Sequence, residues 1–135
     1  MKELTLKATV ENLDRVIGFL EAQLEEAGCP LNTQMQICVS AEEIYVNIAS
    51  YAYAPGTGEA TVRVELQSDP RAVSITFLDS GVPFDPLKKA DPDTTLSSEE
   101  RGIGGLGIYM TKKAMDEMRY AYEDGKNILT MVKRF

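Results

Sequence analysis

ATVRVELQSDPRAVSITFLD, residues 60–79, decides the fold. It holds two runs, 60–67 and 72–79, in which apolar and polar residues alternate, and Asp69-Pro70 between them supplies turn chemistry. Alternation with period two marks a strand with one buried face, so the stretch predicts an antiparallel hairpin. Upstream, ELTLKATV at 3–10 alternates in the same way. Downstream, MRYAYED and NILTMVKRF flank Gly125 and predict a second hairpin.

Helical spacing fills the gaps between these strands. Leu13, Val16, Ile17, Leu20 and Leu24 recur on one face until Gly28 and Pro30 stop the helix. A second helix is predicted from about Asn32 to Tyr53, closed by Ala54-Pro55-Gly56. It is apolar on most faces, which predicts that it is largely buried. A third is predicted over Ile108–Met118, with Ile108, Met115 and Met118 toward the core. The order β-α-α-β-β-loop-α-β-β predicts an α+β two-layer sandwich: an antiparallel or mixed sheet with helices on one face, as a single domain over 1–135.

Composition narrows the chemistry. The net charge of −7 argues against a nucleic-acid binder, which carries a basic face. No apolar run reaches the roughly 20 residues that span a bilayer. The opening MKELTLKATVENLD has acids and no long apolar run, so it does not read as a secretory signal, and a cytoplasmic protein is expected. The chain has no His, which removes Ser–His triads, His-based metal sites and a phosphorylated histidine. Cys29 and Cys38 lack metal-site spacing and are expected to be buried thiols.

Three constellations remain. Glu43 and Asn47 are four residues apart on the second helix and share a face, while Glu42 points elsewhere. An amide oxygen is a hard neutral ligand suited to Mg²⁺, and a neighbouring carboxylate can take a proton from an attacking hydroxyl or water. Asp79 closes the apolar run ITFL at the rim of the core, where it can accept a hydrogen bond from an exocyclic amine such as adenine N6. Gly81, two residues on, lets a flat ring or a water approach the backbone. Arg101-Gly102-Ile103-Gly104-Gly105-Leu106-Gly107 opens the third helix, with glycines that can turn N–H groups inward as an anion nest. It lacks the Gly-Lys-Ser/Thr of a P-loop and does not follow a strand, so it is neither a Walker motif nor a dinucleotide fingerprint. Between the second and third constellations, LKKADPDTTLSSEER at 87–101 stands where a closing lid is useful, and Lys88 and Lys89 read mainly as solvated charges.

Taken together, Glu43-x-x-x-Asn47, Asp79-x-Gly81-x-x-Phe84 and Gly102-x-Gly104-Gly105-x-Gly107 resemble the asparagine box and the two glycine boxes of the GHKL ATPase superfamily. The nearest likeness is to its anti-sigma factor serine-kinase branch, through Ser40-Ala41-Glu42-Glu43, Asn47, Ala52-Tyr53 and the ending Asn127-Ile128-Leu129-Thr130-Met131. The resemblance covers essentially the whole chain. It implies the Bergerat (histidine-kinase-like ATPase) fold, with ATP and Mg²⁺ as ligands. It implies Asn47 on the metal, Asp79 and Gly81 at the adenine, and the Arg101–Gly107 loop, Leu106 included, at the phosphates. It places Thr130 near the adenine and makes Glu43 the general base for a serine on a small anti-anti-sigma (STAS-type) partner. It further implies a homodimer that also binds a sigma factor, by partner switching. The branch often carries His four residues after the asparagine, where this chain has Tyr51. A sequestering module that binds ATP without catalysis is the competing reading, and Glu43, which sequestration does not need, separates the two.

Overall fold

The structure, a computed structural model, describes residues 1–88 and 105–135, with backbone only at Leu106. In chain order it forms β1 (Lys2–Lys7), a 3₁₀ turn (Val10–Asn12), α1 (Leu13–Glu26), α2 (Leu31–Asn47), a π-helical turn (Ile48–Ala52), β2 (Glu59–Gln67), β3 (Ala72–Asp79), a 3₁₀ turn (Pro86–Lys88), α3 (Gly105–Ala114), β4 (Glu117–Glu123) and β5 (Lys126–Arg134). The strands make one sheet in the order β1-β2-β3-β5-β4, and every pairing is antiparallel. Of the two sheet types the sequence left open, antiparallel is the one formed.

Alternation sets the two faces of the sheet. Cross-strand register aligns Leu4, Val62, Phe77, Leu129 and Tyr120 in one row that faces the helices. The next row toward the sheet's end is Leu6, Ala60, Asp79 and Asn127, so the inward face passes from apolar to polar at its rim. The opposite face carries Glu3, Arg63, Thr76, Thr130 and Arg119 in register. The β4–β5 hairpin turns through Asp124 and Gly125, both at positive φ (53° and 75°), as a two-residue turn matched to strand twist requires.

The helices cover the inward face. α1 buries Val16, Leu20 and Leu24 completely. Its end is a Schellman cap: Gly28 is at φ 74°, its N–H reaches Glu25 O, and the Cys29 N–H reaches Leu24 O. α2 buries Ile37, Ala41, Ile44 and Tyr45 against the sheet. The Tyr45 hydroxyl donates to Thr9 O at 2.6 Å and accepts from Thr9 N at 3.1 Å, tying the helix to the chain after β1. One expectation fails here. α2 is not buried on most faces, because Leu31, Met35 and Val39 face solvent.

Predicted and observed boundaries differ in two instructive places. The second helix stops being α-helical at Asn47 and continues as a π turn to Ala52. The third ends at Ala114, and Met118 belongs to β4. Among the described residues no helix is long and apolar enough to cross a membrane.

Candidate functional site

A cleft of about 340 Å³ opens between the C-terminal half of α2 and the polar rim of the sheet. Asn47 lines one side and Asp79 the other, over a floor of Ile44, Phe77, Ile108 and Leu129. Two of the three constellations therefore meet in one concave space, although 32 residues separate them in sequence.

On the helix side, Asn47 Nδ2 donates to Glu43 Oε1 at 3.2 Å. The amide is thereby oriented with its nitrogen on the carboxylate, and Asn47 Oδ1 takes no hydrogen bond among the described residues. The first turn of α3 lies against the same carboxylate. A Cβ added to Gly107 would stand 2.1 Å from Glu43 Cδ and Oε1, so any larger residue there would displace the carboxylate. Thr111 Oγ1 donates to Gly107 O at 3.0 Å and stiffens that turn.

On the sheet side, Asp79 is 6% exposed. Its Oδ1 accepts from Gly81 N at 2.9 Å and from Asn127 Nδ2 at 3.0 Å. Oδ2 takes no hydrogen bond among the described residues, and Asp79 lines the cleft. A carboxylate oxygen only accepts, so Oδ2 at the cleft can take a hydrogen bond from an incoming donor.

Asn127 organises this end of the cleft. Its Nδ2 also donates to Val82 O at 2.9 Å, while its Oδ1 accepts from Phe84 N at 3.1 Å and from the Tyr120 hydroxyl. Burial pushes the Tyr120 phenol pKa up, which keeps the proton it donates in this network. The loop after β3 is also braced from the helix side. Val82 N donates to Ala52 O at 3.0 Å, and a Cβ on Gly81 would sit 2.2 Å from that same oxygen. Tyr53 completes the brace: its hydroxyl accepts from Ser80 N at 2.7 Å and donates to Glu59 O at 2.5 Å. The π turn that carries Ala52 is the kind of helix irregularity that recurs at functional sites.

The remaining expected residues divide. Thr130 does not line the cleft. Strand alternation puts Asn127, Leu129 and Met131 inward and Thr130 outward, where its hydroxyl meets that of Thr76 at 3.1 Å. Arg101, Gly102 and Gly104 lie outside the described residues, as do Lys89 and most of the 87–101 stretch. Gly105, Leu106 and Gly107 form the first turn of α3. Tyr51, on the π turn, lines the cleft beside Asn47. Sequence reasoning missed Asn127 as a site residue. Its signal was the position directly after the Asp124-Gly125-Lys126 turn, in register with Asp79.

Comparison with known proteins adds four findings. Residues 6–133 match the histidine kinase-like ATPase domain family. The chain is 30% identical over 95 residues to the serine/threonine-protein kinase BtrW of Bordetella bronchiseptica, which covers 70% of this chain and 66% of BtrW. Its fold superposes on a Mycobacterium tuberculosis structure of RsbU and RsbW domains with a TM-score of 0.67 at 19% identity, over 99% of this chain and 32% of that one. It also superposes on the SiaB–SiaC complex of Pseudomonas aeruginosa, with a TM-score of 0.59 at 17% identity, over 98% and 89% of the two chains. At those identities the two structures speak for the fold.

Proposed function

The chain belongs to the histidine kinase-like ATPase domain family, and from that premise we propose that it is a protein-serine kinase that transfers the γ-phosphoryl group of ATP to a small STAS-type anti-anti-sigma partner. In this reading it is a cytoplasmic homodimer that holds a sigma factor in one state and engages the partner in the other. The observation that carries the proposal is the single cleft lined by Asn47, which is hydrogen-bonded to Glu43, at one end and by Asp79 at the other. A nucleotide needs both ends: an acceptor for its exocyclic amine and a polar site for its phosphates. The kinase named BtrW and the solved SiaB–SiaC complex support the reading as relatives, one by activity and one by fold.

The donor set fits these ligands. Asp79 Oδ2 would accept from the amine of adenine, with the apolar floor of Phe77, Ile44 and Leu129 against the ring. Gly81 makes room for its backbone against Ala52, so its part in base recognition is to seat the loop. Phosphates would lie toward the N-terminus of α3, the end of a helix that favours an anion, with Arg101 and the Gly102–Gly107 loop as the proposed cradle. Among the described residues no group of three or more Asp, Glu, Cys or His could cage a cation. Mg²⁺ suits such a site, because it takes few protein ligands and several phosphate oxygens. Asn47 Oδ1 would hold it, and the ion would supply charge neutralisation across the phosphates.

Phosphoryl transfer asks the protein mainly for position and charge placement. The seryl oxygen of the partner forms a bond to the γ-phosphorus as the bond from that phosphorus to the β–γ bridging oxygen breaks, and ADP leaves with that electron pair. Glu43 receives the hydroxyl proton. Asn47 Nδ2 occupies Glu43 Oε1, which directs the other oxygen to that task.

The test is transfer of labelled phosphate from γ-labelled ATP to a co-encoded STAS-type protein. Glu43→Gln should keep nucleotide binding and lose transfer, and Asn47→Ala should lose Mg²⁺-dependent nucleotide binding while the fold survives. Transfer by Glu43→Gln at the wild-type rate removes Glu43 as the base. Nucleotide binding with no transfer to any partner leaves a sequestering module.

A further inference from the structure

α1 and α2 lie side by side in one layer and treat solvent differently. α1 turns Asp14, Glu21, Glu25 and Glu26 outward and keeps its large apolar residues buried (Val16, Leu20, Leu24) or half-buried (Leu13, Ile17, Phe19). α2 turns Leu31, Met35 and Val39 outward, at 71, 62 and 68% exposure. Isolated exposed apolar residues are ordinary, but these three stand four apart on one helix and form a continuous row.

The surroundings of the row say what it fits. Glu25 accepts a hydrogen bond from Gln34 Nε2 at 3.0 Å, and the Glu21 charge acts on Cys38, so α1 borders the row with carboxylates. Exposed Glu42 heads it. α2 contains no cation, and Arg15 is the only one in α1. One further step of four residues from Val39 reaches Glu43.

We propose that the outer face of α2 is a docking surface for a helix of another protein that presents an apolar row edged by Lys or Arg. Leu31, Met35 and Val39 receive the apolar row, and Glu21, Glu25 and Glu42 receive the basic edge. An amphipathic helix read at i, i+4 spacing is a recurring recognition mode, and opposed charge fixes its register. A second copy of this chain would set the same carboxylates against one another, and an anionic bilayer would meet the same repulsion. The row points a docked helix toward Glu43. That orientation alone rests on the kinase reading; the docking face does not.

The experiment uses the full ¹⁵N-labelled chain and two synthetic helical peptides of about 18 residues with the same leucine face, one edged by Lys and one by Glu. The Lys-edged peptide should shift the amides of residues 31–42 and bind at least about tenfold more tightly than the Glu-edged one. Val39→Glu and Met35→Gln should each weaken it several-fold while ATP binding and melting temperature stay unchanged. Equal binding of both peptides, shifts mapped to another face, or no binding overturns the proposal. So does self-association of the free chain that Val39→Glu abolishes. Failure of the wild type to bind ATP would remove the kinase reading and leave the peptide result standing.

Discussion

Asn127 Nδ2 sits 3.0 Å from Asp79 Oδ1, across a pair of residues directly opposite in the β3–β5 register. Both side chains are more than nine-tenths buried. The amide holds one carboxylate oxygen and so leaves the other for the cleft, while it pins the loop through Val82 and Phe84.

Asn127→Ala should therefore cost both stability and nucleotide affinity. It strips partners from Asp79, Val82, Phe84 and Tyr120, and unsatisfied buried groups cost about 1–3 kcal/mol each, less where water enters. A loss of about 2–4 kcal/mol in urea unfolding is expected, with ATP affinity down at least about tenfold. The preference of the wild type for ATP over ITP, which lacks the exocyclic amine, should collapse toward equality in Asn127→Ala. Undiminished discrimination would mean that Asp79 is positioned without Asn127.

Gly107→Ala tests the contact of α3 with Glu43. The new methyl group would stand 2.1 Å from the carboxylate carbon, so Glu43 or the helix must move. Alanine favours a helix by about 1 kcal/mol over glycine, which offsets part of an overpacking cost of about 1–3 kcal/mol. Helical content by circular dichroism should survive. Phosphotransfer should fall on the order of 100-fold, the usual scale for a catalytic group displaced by about 1 Å. An unaltered rate would detach Gly107 from Glu43 function.

Thr130→Val is the converse. Its hydroxyl meets Thr76 on the face of the sheet away from the cleft, and removing that bond should cost no more than about 1 kcal/mol. Nucleotide affinity measured by calorimetry should stay within about twofold. A large loss would place Thr130 on the cleft side and contradict the β3–β5 register.

Cys38 gives a pH signature. Its thiol is pushed up from 9.0 to about 11, by burial first and then by the charges of Glu21 and Cys29. The folded chain thus holds this proton more tightly than the unfolded chain does. The associated stability is fully present below pH 9 and is lost as pH rises toward 11. Urea midpoints from pH 8 to 11 should fall more steeply for the wild type than for Cys38→Ala, and alkylation of Cys38 by iodoacetamide at pH 8 should be slow. Parallel slopes would show that Cys38 titrates alike in both states.

Much of this was legible in local pattern. The hairpin over 60–79 fixes β2 and β3 to within a residue, because alternation and turn chemistry are short-range properties. Glu43 and Asn47 share a face because helical geometry requires it, and they are hydrogen-bonded. Asp79 reaches the rim because β3 ends there. The parity of β5 was not legible. In Asn-Ile-Leu-Thr-Met-Val both alternate sets contain apolar residues, Ile128 and Val132 against Leu129 and Met131. Only the tertiary pairing shows that Asn127 goes inward and Thr130 outward. The exposure of Leu31, Met35 and Val39 was hidden for a related reason: an all-round apolar helix says that something covers it, not that the covering lies in the same chain.

The close seat of Gly81 on Ala52 makes the two walls of the cleft one mechanical piece. Backbone lies against backbone there, so the loop after Asp79 is tied directly to the helical turn after Asn47. The gap between the walls thus works as a fixed gauge. Under the proposed function, a nucleotide whose length from base to phosphate matches that gap is the ligand it selects.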